Sequence, residues 1–180
     1  MKLPQLFGRT LLNWPSVISA ALLSEMEKTE FMLDQMLQPN PPINESQLLA
    51  FGARYHIDLP LAYRNFLLKY NGGQPVPAAF PIEGLPDNPA GVIQAFFGLN
   101  ASLPTEDLDT IMTELADRMP KGILPIACTD GNDFVCFDLR EGDPVVFWDR
   151  KPFWGSNVWN DDDLYPVASN FELLLNEKAT

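Results

Sequence analysis

The stretch LPIACTDGNDFVCFDLREGDPVVFWD, Leu124–Asp149, decides the fold. It holds three apolar runs, Leu124–Thr129, Phe134–Leu139 and Val145–Asp149, separated by Asp130-Gly131-Asn132-Asp133 and Glu141-Gly142-Asp143. In the middle run Phe134, Cys136 and Asp138 alternate with Val135, Phe137 and Leu139, which is the two-residue period of a strand. Asp-Gly and Gly-Asp between such runs are the chemistry of tight hairpins, because they tolerate a left-handed backbone. The stretch predicts an antiparallel meander.

Upstream, the period changes to that of helices. From Val17 to about Leu37, Ile18, Leu22, Met26, Leu33 and Met36 fall largely at helical spacing, and Gln38-Pro39-Asn40-Pro41-Pro42 stops the run. Asn44 and Gln47 are spaced as a capping box, with Ile43 and Leu48 placed as a hydrophobic staple. Leu48, Leu49, Phe51 and Tyr55 are expected to supply that helix's buried face. Asp58-Leu59-Pro60 opens the next helix with proline in its first turn. Tyr63, Phe66, Leu67 and Tyr70 continue it, and Asn71-Gly72-Gly73 closes it. Short strands are expected near Ala79–Ile82 and Val92–Phe97, and a further helix from about Thr105 to Met119. Downstream of the meander, Ser169 and Glu172 read as the capping box of a closing helix whose Leu173, Leu174 and Leu175 pack inward. Helices first, then a meander, then one helix define an α+β fold with helices on one face of an antiparallel sheet.

The chain of 180 residues fits one compact domain with an appended segment, divided here as a helical extension over 1–42 and a domain over 43–180. Its formal net charge of −12 is uneven. Residues 1–82 hold six basic and six acidic side chains, whereas residues 83–180 hold 18 acidic and 6 basic ones. A field of that sign keeps a protein soluble, repels nucleic acid and anionic lipid, and speeds encounter with a basic partner. Cys128 and Cys136 read as buried free thiols of a reducing compartment. Asn13-Trp14-Pro15-Ser16 interrupts any apolar run of a signal peptide. A cytoplasmic location is expected.

Catalytic chemistry is hard to find. The single histidine, His56, sits at a helix boundary, and no Cys/His cluster has zinc spacing. Asn71-Gly72-Gly73 lacks the surroundings of a phosphate loop. Asp130, Asp133 and Asp138, or Asp161-Asp162-Asp163, suggest metal ligands, but consecutive aspartates point different ways and no distal Glu closes a calcium loop. No enzyme, cofactor or metal is expected. The segment 147–165 is more informative. Phe147, Trp148, Phe153, Trp154, Trp159 and Tyr165 are interleaved there with Asp149, Arg150, Lys151 and Asp161–Asp163. Alternation makes one of Phe147 and Trp148 a core residue. Tryptophans on a polar segment beside carboxylates have the composition of a protein interface with a charged rim. Asp149, Trp154, Trp159, Asp161, Asp162 and Asp163 are the expected contacts, with Asp130 and Asp133 as a secondary group.

Ile57-Asp58-Leu59-Pro60 leads to Tyr63-Arg64-Asn65-Phe66-Leu67 and Tyr70-Asn71-Gly72-Gly73. Gly122–Ala127, the Asp130–Asp133 turn, Phe134–Leu139, Val145–Trp148 and the Ser169–Leu175 helix follow. In this order and spacing the chain, over roughly 44–178, resembles the SUKH superfamily, which holds yeast cell-wall regulators of the Smi/Knr type and many bacterial immunity proteins. Thr129–Asp133 is poorer in glycine than the family's usual turn, and the first 42 residues have no counterpart. The resemblance implies a sheet of five or six antiparallel strands backed by helices, and work by protein–protein contact. Its bacterial branch implies an immunity protein that binds and neutralises a secreted polymorphic toxin, such as a basic nuclease. Its eukaryotic branch implies a regulatory scaffold acting on cellular proteins. A cleft between the sheet and the 147–165 segment leaves a small-ligand binder or enzyme as a third class. Oligomeric state is open.

Overall fold

A computed structural model describes residues 36–76, 78–85, 90–140, 142–150 and 161–176. Most of the expected first helix lies outside these. Its expected end is not helical: Leu37 forms an isolated bridge with Gln74, each amide donating to the other's carbonyl at 2.8 Å.

Helix α1, Glu45–Tyr55, starts where the sequence places it. The amide of Gln47 donates to the Asn44 side chain at 3.1 Å, and the Asn44 amide donates back to Gln47 at 2.9 Å. Two of the orphan donors at the helix start are thereby satisfied. His56, in the left-handed region at φ 57°, ends the helix. Helix α2, Leu61–Tyr70, has Pro60 at its N-cap, one position ahead of the expected first turn, with no side-chain cap. Asn71 ends it at φ 52°. The Asn71 side chain is fully buried, and its amide donates to Pro41 O and Leu99 O while its oxygen accepts from the Leu99 amide, at 2.7–2.8 Å. Three bonds repay the desolvation of that amide. Gly72 follows at φ 85°, where a Cβ would lie 2.6 Å from Phe96 O.

Six antiparallel strands succeed one another in chain order: β1 (Ala79–Pro81), β2 (Ala90–Phe96), β3 (Ile123–Thr129), β4 (Phe134–Asp138), β5 (Val145–Trp148) and β6 (Leu164–Ala168). The meander expected over Leu124–Asp149 is β3–β4–β5. Pro125 sits inside central strand β3, where the ladder to β4 shifts register between Pro125 and Ala127, the position at which a strand tolerates a missing donor. The sheet curls: the Glu83 amide, just beyond β1, donates to Pro166 O of β6 at 3.0 Å, and the Phe80 ring lies 6.3 Å from that of Phe147. Both outer strands are thus partly occupied.

Helix α4 (Phe171–Asn176) closes the core with α2. Tyr63, Phe66, Phe96 and Phe137 surround Phe171 at centroid separations of 5.2–5.9 Å. Each such pair adds about 0.5–1.5 kcal/mol beyond the area it buries.

Further expectations need correction. Leu49, expected on the buried face of α1, is 60% exposed, while Leu48 and Phe51 are buried. The helix over 105–119 is a 3-10 turn at Pro104–Glu106 followed by α3, Leu108–Glu114. Asp107 intervenes as the N-cap and accepts the Thr110 amide at 2.9 Å. After Leu115 the chain runs in turns, although Leu115 and Met119 still face the core. Pro120 disfavours helical backbone at Met119. The cap of α4 is Asn170, whose oxygen accepts the Leu173 amide at 2.9 Å, and not Ser169. That one-residue shift buries Phe171, Leu174 and Leu175 and leaves Leu173 42% exposed. Phe147 and Trp148 are both core, at 5% and 4% exposure, because Phe147 meets Phe80 while Trp148 packs on Phe134 at 5.8 Å. Cys136 is fully buried, but Cys128 is only half-buried; both are free thiols.

Candidate docking face

One end of the meander gathers the aspartates. The β3–β4 turn is tied by the Thr129 amide donating to Asp133 O at 2.9 Å and the Asn132 amide donating to Thr129 O at 3.0 Å. The Asp133 amide donates to Thr129 Oγ1 at 3.2 Å. Asn132 takes φ 64°, which asparagine accepts more readily than most residues. Asp130 is exposed, while its amide donates to Val92 O at 3.1 Å.

The end of β5 lies beside this turn. Beyond Trp148, the Asp149 amide donates to Asp163 O at 3.1 Å, and the Arg150 amide donates to Asp133 Oδ1 at 2.8 Å. The Arg150 guanidinium lies 4.9 Å from the centre of the Phe134 ring and donates to Asn132 O at 3.3 Å. Asp161–Asp163 form a 3-10 turn leading into β6, with Asp162 exposed and Asp163 half-buried. Burial pushes the Asp133 carboxyl up from the ordinary aspartate value, and the charges of Asp149 and Asp130 add to this; the amide and charge of Arg150 oppose it. The cause is dielectric first and like charge second.

Asp130, Asp133, Asp149 and Asp163 are therefore neighbours, with Asp162 next to them. Trp154 and Trp159, together with Phe153 and Lys151, lie outside the described residues, as does the side chain of Asp161. Arg150 was legible only as a charge among aromatics; nothing in its spacing announces that it docks on a turn 17 residues earlier in the chain.

A groove of about 930 Å³ lies elsewhere, lined by the α1–α2 connection (Tyr55–Pro60), Met112, Met119, Lys121, Ile123 and Leu139. His56 on its rim is the exposed C-cap of α1. Among the described residues no group of three or more His, Cys, Asp or Glu side chains is placed to hold a metal ion. No helix among them is long and apolar enough to cross a membrane.

A six-stranded antiparallel meander backed by short helices, with carboxylates collected at one end, defines an α+β domain whose distinctive chemistry is on its surface. The chain belongs to the SMI1 / KNR4 family (SUKH-1), whose family model matches residues 42–177. It is also 27% identical over 163 residues to the SPbeta prophage-derived uncharacterized protein YokK of Bacillus subtilis (strain 168), covering 82% of this chain and 80% of that protein.

Proposed function

We propose that this chain is a cytoplasmic, non-enzymatic immunity protein that binds a basic toxin domain stoichiometrically and neutralises it. The observation that carries the reading is the crowding of Asp130, Asp133, Asp149 and Asp163 at one end of a SUKH-1 domain, against a cation already held there, Arg150. A surface that holds one guanidinium among carboxylates suits a partner that presents more. The contacts are Asp149, Trp154, Trp159, Asp161, Asp162 and Asp163, with Asp130 and Asp133 as a secondary group. The tryptophans are anchors worth roughly 2 kcal/mol or more each on truncation, and the aspartates steer association. The prophage origin of the Bacillus relative favours this reading over a eukaryotic-type regulatory scaffold.

The test is co-expression with any basic secreted-toxin domain found encoded beside its gene, followed by stopped-flow association of the pair. Rescue of growth by the wild-type chain is expected, together with association that slows severalfold in Asp130→Asn/Asp162→Asn and steeply with salt. Rescue without a complex, or association indifferent to both charge and salt, would overturn the steering face.

A further inference from the structure

In an antiparallel sheet successive amides point to opposite neighbours. The β4–β5 ladder ends at Phe134↔Trp148, and the β5–β6 ladder ends at Trp148↔Leu164. The next two amides of β5 are nevertheless satisfied on alternate sides. Asp149 donates to β6's side, to Asp163 O, and Arg150 donates to β4's side, where Asp133 offers a side-chain oxygen as acceptor. Asp133 thus adds one rung beyond the last β4–β5 pair. The Arg150 side chain fastens the same corner by lying on Phe134 and donating to Asn132 O. The carboxylate lies close over Gly131, where a Cβ would come 3.0 Å from Asp133 Oδ2.

We infer that Asp133 is a positioning residue for the docking face: besides its place among the secondary contacts, it holds Arg150 and so sets the direction in which the chain leaves β5. This rests on the docking reading for its purpose, but its geometry belongs to the free protein. It divides the aspartates by role, with Asp130 and Asp162 presenting charge and Asp133 fixing the backbone between them.

Residue-resolved amide hydrogen exchange on the full-length chain, with no partner present, tests it. In Asp133→Ala, Arg150 protection is expected to fall about tenfold or more, the scale of a lost hydrogen bond to a charged group. Protection of Val135 and Phe137 in β4 stays unchanged. Asp133→Asn keeps an acceptor oxygen in place without the charge and is expected to restore most of the protection, whereas Asp130→Asn leaves Arg150 untouched. Arg150 exchange within twofold of wild type in Asp133→Ala, or equal loss in the alanine and asparagine variants, would overturn the positioning role. So would parallel loss at Val135, which would mean general loosening. Because no partner enters, failure here leaves the docking reading intact, and failure of the association test leaves this one intact.

Discussion

The two ends of the β4 strand treat the same side chain in opposite ways. At one end Asp138 is gripped by Arg140, which donates from Nε at 2.9 Å, from a terminal nitrogen at 2.7 Å and from its backbone amide at 3.1 Å. The guanidinium holds that carboxyl below the ordinary aspartate value despite burial. At the other end Asp133 accepts one backbone amide and shares its surroundings with Asp130 and Asp149, and its carboxyl is held above the ordinary value. A carboxylate meant only for structure is given its own planar fork of donors. Carboxylates crowded against one another lower the stability of the free protein and are relieved by an incoming cation. Under the proposed docking reading, the difference separates a closed end from a receptive one.

The receptive end hangs on Phe134, which touches Phe97, Trp148 and Arg150 at 4.9–5.9 Å and is buried. Phe134→Ala should therefore break the comparison most severely. A loss of about 3–5 kcal/mol is expected in urea unfolding, the range for an aromatic removed from a core. If the loss were under 1 kcal/mol, the aspartate end would not be anchored by this ring.

The closed end is tested by Arg140→Ala. The Asp138 side chain is 17% exposed, so removing its partner leaves a largely desolvated carboxylate. A loss of about 1–3 kcal/mol is expected at neutral pH from the same unfolding measurement. Adding Asp138→Asn should recover much of it, because the unpaired charge is gone. An Arg140→Ala variant as stable as wild type would place this pair with ordinary surface ion pairs.

The fold was legible where one local rule acts alone. The Asn44/Gln47 box, the Asn71 stop and the turn-bounded apolar runs of β3 to β5 each fix a boundary within a residue or so. It was illegible where two caps compete, as Ser169 and Asn170 do before α4, since either side chain can accept an amide and only the burial of Phe171 decides. β6 was hidden because Leu164–Ala168 shows no clean alternation and carries Pro166, whose ring is tolerated on an outer strand. Of the site, composition revealed the acidic character, and the hairpin signals brought Asp130 and Asp133 to one turn. The proximity of Asp163 to Asp149 depended on β6 and could not be seen without it. The two roles of Asp130 and Asp133 depend on which carboxylate turns inward, a matter of three residues of turn geometry that spacing does not encode.

The smallest effect, and the sharpest test of the contrast, is in the pH dependence of stability. Asp138 has a lowered carboxyl in the folded chain. Its contribution is fully present above the unfolded aspartate value, about 3.9, and is lost as pH falls through the lower folded value. Asp133 has a raised one, so between the two values the folded state binds more protons than the unfolded. Its ionisation is a cost, fully present above the raised folded value and absent below the unfolded one. Against wild type, Asp138→Asn should show a deficit at pH 7 that shrinks on acidification to pH 3, whereas Asp133→Asn should show a small advantage at pH 7 that fades over the same descent. Asp133 is partly exposed, so solvent screening keeps the second effect to a few tenths of a kcal/mol, within reach of paired urea titrations at pH 7, 5, 4 and 3. Two pH differences of the same sign would mean that both carboxylates are structural, and the aspartate end would lose its claim to be held in readiness for a cationic partner.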